Sequence, residues 1–118
     1  MPIADDVVEA LKRSVAPATA INPFATYGEF ARRHGLSETF PLAWANRATL
    51  DKAAAALKSD PAIRLDLTFL IRNTTTGYPS VIDGKPYDGT PTHQQRARQE
   101  ADRIITKFGL TAINPYCE

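Results

Sequence analysis

Apolar and polar positions along this chain recur with a helical period in four stretches and with a period of two in a fifth. In Ala4–Val15 the apolar residues Val7, Val8, Leu11 and Val15 follow Asp5 and Asp6, acids that suit the positive end of a helix. That stretch stops at "APATAINP", where Pro17 and Pro23 forbid continuation. A short second helix is predicted from the capping-box spacing of Thr26 and Glu29, with Tyr27, Phe30 and Ala31 on one side. Arg32, Arg33 and His34 suit its negative end, and Gly35 supplies the residue after it. A third helical region spans "FPLAWANRATLDKAAAALKSDP", either opened by Pro41 or restarting with Thr49 as cap and running over 50–58. Its alanines Ala53–Ala56 permit close approach by a neighbouring helix or a ligand, and Pro61 ends it. The last helix is capped by Thr90 with Pro91 at its first position, buries Ala97, Ala101, Ile104, Ile105 and Phe108, turns Gln94, Arg98, Asp102 and Lys107 to water, and closes at Gly109.

The period of two lies in "RLDLTFLIRN". Leu65, Leu67, Phe69 and Ile71 alternate with Asp66, Thr68, Leu70 and Arg72, which predicts a half-buried strand. "TTTG" reads as a turn and "YPSVI" as the returning strand, held to an edge by Pro79. Asp83-Gly84 and Asp88-Gly89 then punctuate a polar loop. One hexapeptide recurs: "TAINPF" at Thr19–Phe24 returns as "TAINPY" at Thr111–Tyr116. The flanks do not match, so the pair reads as two helix-stopping segments without functional content rather than as a duplication. Ile21, Phe24, Ile113 and Tyr116 are its expected core anchors.

Composition narrows the class. At 118 residues the chain fits one domain, 1–118, and its 43% apolar and 23% charged residues are ordinary for a globular fold. A formal net charge of +1 gives no global field toward nucleic acid or anionic membranes, though it leaves room for a local basic patch. The lone Cys117, the lack of a membrane-length apolar run and an N-terminus unlike a signal peptide lead to the expectation of a cytoplasmic protein.

Catalytic chemistry is not expected. Cys117 lies one residue from the end with no base near it in sequence, so it reads as a passive thiol. His34 and His93 belong to different helices, and no cluster has metal-ligand spacing. "DGKPYDG" lacks the alternating oxygen ligands of a calcium loop, and no phosphate-cradling glycine motif is present. No cofactor is implied.

Binding is the better-supported class. Between Thr26 and Ser59, Arg32, Arg33, Arg47, Lys52 and Lys58 outnumber Glu29, Glu38 and Asp51, with Arg72 and Lys85 near the expected hairpin. Short helix, second helix, then hairpin is the order of a winged helix, so the expected fold is α+β and winged-helix-like with added N- and C-terminal helices. Within it, "TYGEFARRHGL…LDKAAAALKSDP" resembles the DNA-binding half of the alkylguanine-DNA alkyltransferases and alkyltransferase-like proteins, at Thr26–Ala31 and at Ala56-Leu57 followed by Lys58-Ser59-Asp60-Pro61. That family's Pro-Cys-His-Arg is replaced here by "AIRLDLTFLIRN", so the resemblance implies a DNA-binding scaffold without alkyl transfer. The expected nucleic-acid contacts are Tyr27, Arg47, Lys52, Lys58 and Arg72 on one surface. The rival expectation is a protein-binding regulator, such as a phage or mobile-element inhibitor of a host defence complex of the anti-CRISPR kind.

Overall fold

The computed structural model describes residues 3–16, 22–36 and 46–116. Among them lie α1 (Ile3–Ser14), β1 (Ala25–Thr26), α2 (Tyr27–His34), α3 (Arg47–Ser59), a 3-10 turn (Leu67–Leu70), β2 (Ile71–Arg72), β3 (Val81–Ile82), β4 (Lys85–Pro86) and α4 (Pro91–Phe108), an α+β arrangement with two two-stranded sheets. None of these helices is long and apolar enough to cross a membrane.

Local chemistry places the helix ends. Thr26 Oγ1 accepts from the Glu29 amide at 3.3 Å while Glu29 Oε1 accepts from the Thr26 amide at 3.1 Å, the reciprocal capping box. Thr90 and Pro91 open α4 as expected, and Gly109 closes it in the left-handed region at φ 61°. The third helix differs from both alternatives drawn from the sequence. Asn46 Oδ1 accepts from the Thr49 amide at 2.8 Å, so Asn46 is the cap and Thr49 lies inside the first turn. Pro41 lies outside the described residues.

α1 and α3 make the most extensive helix contact. Val7, Ala10 and Leu11 on one and Ala53 and Leu57 on the other are wholly buried, whereas Ala55 and Ala56 face solvent. The alanine run thus serves packing on one side only.

The strand expected over 65–72 forms only at its end. Leu67–Leu70 is a 3-10 turn, and Ile71–Arg72 pairs in parallel with Ala25–Thr26, not with "YPSVI". The reason is local. Asp66 Oδ1 accepts from the Thr68 amide at 3.0 Å and from the Thr68 hydroxyl, an Asx-type turn that outcompetes the ladder. Both residues, which alternation would send to water, are buried, and the Asp66 amide donates to Glu100 Oε2 at 2.8 Å. Leu67, Phe69 and Ile71 are buried as expected, and so is Leu70. "TTTG" does turn, closed by Asn73 N–H to Tyr78 O at 2.8 Å, but the ladder lies further on. Val81–Ile82 pairs with Lys85–Pro86 across Asp83-Gly84, whose positive φ values (50° and 82°) match the tight hairpin turn that Asp-Gly favours.

The repeated hexapeptide also reads differently in three dimensions. Asn22 Oδ1 accepts from the Phe24 amide at 3.0 Å, and Asn114 Oδ1 accepts from the Tyr116 amide at 2.9 Å. The same Asn-Pro-aromatic turn is therefore used twice, and its two aromatics meet edge to face with centroids 6.2 Å apart. The identity encodes a pair of matching core plugs. Ile113 is not an anchor, at 85% exposed; Ile21 and Cys117 lie outside the described residues. Tyr116 is wholly buried, its hydroxyl donates to Phe69 O at 2.5 Å, and its ring stacks on Tyr78, which stacks on Tyr87.

Candidate anion-binding surface

The five residues expected to share one surface occupy three places. Tyr27 is half-buried, and its hydroxyl accepts from the Ser80 amide at 3.1 Å; burial raises its pKa above the usual tyrosine value. Arg72 ends β2 opposite Thr26, and its Nε is buried without a hydrogen-bond partner. On α3, Arg47 and Lys58 lie about three turns apart on nearly the same face, whereas Lys52 is rotated by about 140° from Arg47 at 3.6 residues per turn. Arg47 is also held loosely by Asp51, at 3.8 Å with both side chains largely exposed.

Beside α3 the hairpin β3–β4 closes a cleft of about 210 Å3 lined by Leu50, Asp51, Ala54, Ala55, Lys58, Asp66, Thr68, Val81, Asp83 and Gly84. Three carboxylates face one lysine there, so the cleft repels phosphate. Its wall is wired together. Arg96 grips Asp83 with two hydrogen bonds (2.8 and 3.2 Å), donates to Glu100 Oε1 at 2.8 Å, and lies over the Phe69 ring at 5.0 Å. Burial raises the Asp66 pKa, against the hydrogen bonds from Thr68 that lower it.

Positive charge gathers toward the helix ends, with Lys58 shared between them and the cleft. The C-terminal ends of all four described helices converge. Lys12 of α1 reaches the α3 cap residue Asp60 at 2.8 Å. Ser14 Oγ lies 3.1 Å from His34 Nε2 at the end of α2. Lys107, in the last turn of α4, donates to Ile63 O in the loop after α3. Lys12, Arg13, Arg32, Arg33, Lys58, Arg64, Arg103 and Lys107 lie toward the C-terminal halves of these helices or just after them, and several are answered by acids: Asp60 and Glu9 act on Lys12, Glu29 on Arg33, Asp66 on Lys58 and Glu100 on Arg103. Cations complement helix C-termini, so part of this charge stabilises the fold. At His34 partial burial first, then Arg13 and Arg33, lower the pKa below 6.5.

Sequence reasoning found Lys58 but missed Arg64, Arg103 and Lys107 as members of one surface. The last-turn cations of each helix were visible singly; their convergence depends on tertiary packing. Among the described residues no group of three histidines, cysteines or acids is arranged to hold a metal ion. Comparison with known protein families, with curated proteins and with solved structures finds no match for this chain.

Proposed function

We propose that this chain is a non-catalytic nucleic-acid-binding module that holds a phosphate backbone against the convergent C-terminal ends of its helices. The observation that carries the reading is that Arg64, Arg103 and Lys107 line one open groove beside the ends of α3 and α4, with Asp102 its single lining acid. The order of α2, α3 and the β3–β4 hairpin supports a winged-helix-like use of the scaffold, with α3 in the place of the recognition helix and the hairpin as the wing. In that use Lys58 contacts phosphate together with the basic end, Lys52 adds a contact from the outer face of α3, and Arg47 contributes little because Asp51 neutralises it. Backbone phosphates do not enter the acid-lined cleft between α3 and the hairpin.

Fluorescence anisotropy with a labelled oligonucleotide at low salt tests this. Binding by the natural chain, lost in a Lys58→Gln/Arg103→Gln variant of unchanged melting temperature, is the expected outcome. Equal binding by that variant, or no binding by the natural chain, overturns the reading.

One observation favours a second reading. The cleft sets Asp51, Asp66 and Asp83 against Lys58 alone, a net negative lining that suits a basic side chain from a protein partner, as a protein-directed inhibitor would need. Binding lost on Asp83→Asn and insensitive to Arg103→Gln would select that alternative.

A further inference from the structure

Within the basic end, Arg64 has unusual geometry. Its φ is +61°, a left-handed conformation that costs a non-glycine residue about 1–2 kcal/mol relative to the right-handed one. The fold holds it there by backbone: Ile63 and Arg64 amides both donate to Asp60 O at 3.0 Å, and Lys107 fixes Ile63 O from α4. A glycine would meet the same backbone demand without that cost. The guanidinium is exposed and, among the described residues, has neither a hydrogen bond nor an ion pair. The side chain instead edges an open groove of about 370 Å3, shared with Leu65, Asp102, Arg103, Thr106 and Lys107. That volume falls within the range of small-ligand sites.

The groove has two chemistries. Its floor is mostly apolar, formed around Leu65 and the aliphatic parts of Thr106, Arg103 and Lys107, while three cations stand at its rim against one acid. Asp102 is partly satisfied by Asn114 Nδ2 at 2.7 Å, and the ion pair of Arg103 with Glu100 is long, at 3.7 Å. Cations alone serve a phosphate; an apolar floor between them serves the flat face of a base. A duplex keeps its bases stacked inside, so only an unpaired strand can present both groups at once. Arg103 also offers a guanidinium plane for stacking.

We propose that this groove seats a base of a single-stranded nucleic acid, with adjacent phosphates on Arg64, Arg103 and Lys107. The inference rests on the nucleic-acid reading above and names its substrate as unpaired strand. The test uses the full chain and three labelled probes of equal length: a thymidine oligonucleotide, the same strand with abasic sites, and a duplex. The thymidine strand is expected to bind about tenfold more tightly than the abasic strand or the duplex at equal salt, in line with stacking of one base. Arg64→Gly is expected to melt about 2–4 °C higher, because the left-handed cost it removes is only partly offset by the entropy glycine adds to the unfolded chain, and to bind the strand at least about fivefold more weakly. Arg64→Gln, which keeps the side chain's bulk, should weaken binding without that rise. Equal affinity for all three probes, with Arg64→Gly binding normally, overturns the base-binding inference while the nucleic-acid reading stands. Absence of binding to every probe overturns both. A lower melting temperature for Arg64→Gly overturns the argument from backbone strain.

Discussion

The hairpin end and the helix-terminus end of this molecule use charge in opposite ways. At the hairpin end Arg96 is spent on Asp83 and Glu100, Asp66 on Thr68, and the aromatics of Tyr87, Tyr78, Tyr116 and Phe24 form a continuous run. At the other end Lys58, which also edges the cleft, and Arg64 have no ion-pair partner within 4.0 Å among the described residues, and Arg103 is only loosely paired. A charged group that is buried and fully partnered specifies a fold; one that is exposed and loosely paired is free to meet a ligand. Substitutions at the first end should therefore cost stability, and at the second end binding.

The largest break is expected at Tyr116→Ala. Removing a wholly buried ring, its stacking on Tyr78 and its hydrogen bond to Phe69 O should cost about 3–5 kcal/mol, read as a fall in the urea midpoint. A loss under about 1 kcal/mol would show that the C-terminal copy of the repeated turn is not a core element.

Next comes Arg96→Ala, which leaves the buried Glu100 carboxylate without its close cation. About 3 kcal/mol is expected, with Glu100→Gln in the same background recovering part of it. Recovery is the discriminating result, because a purely steric role for Arg96 predicts none.

These two predictions depend on features of different legibility. The helix caps were readable because each is written in a few adjacent residues: Thr26 with Glu29, Thr90 with Pro91, and the glycines Gly35 and Gly109. The strand over 65–72 was misread because Asp66 and Thr68 satisfy one another and turn inward, so polar no longer meant exposed. The true hairpin signal, Asp83-Gly84, was in plain sight but reads as a loop when its flanking strands are only two residues long. Arg96, Glu100 and the cations at the helix ends are far apart in sequence, and no local pattern states that they meet. The left-handed backbone of Arg64 is equally silent, since arginine carries no preference for it.

A smaller effect concerns acidity. Because the folded pKa of His34 lies below 6.5, the neutral ring is favoured in the fold, and its contribution to stability is complete above pH 6.5 and lost as pH falls toward the folded value. The melting temperature of the natural chain should therefore fall more than that of His34→Gln between pH 7.5 and pH 5, with both scans in the same buffer series. Parallel curves would remove His34 from the account.

The smallest expected stability change belongs to Lys58→Gln with Arg103→Gln, within about 0.5 kcal/mol, since both side chains are exposed and neither holds a close partner. A larger loss would mean that these cations serve the helix ends and not a ligand.

The most direct test of the central claim is the salt dependence of binding to a single-stranded oligonucleotide. With about four phosphate contacts from the basic end, the logarithm of affinity should fall against the logarithm of salt with a slope near −2.8, at roughly −0.7 per contact, and the slope should flatten by about half in the Lys58→Gln/Arg103→Gln variant. A slope near zero, or one unchanged by removing those two cations, would contradict the claim that this end of the molecule binds nucleic acid.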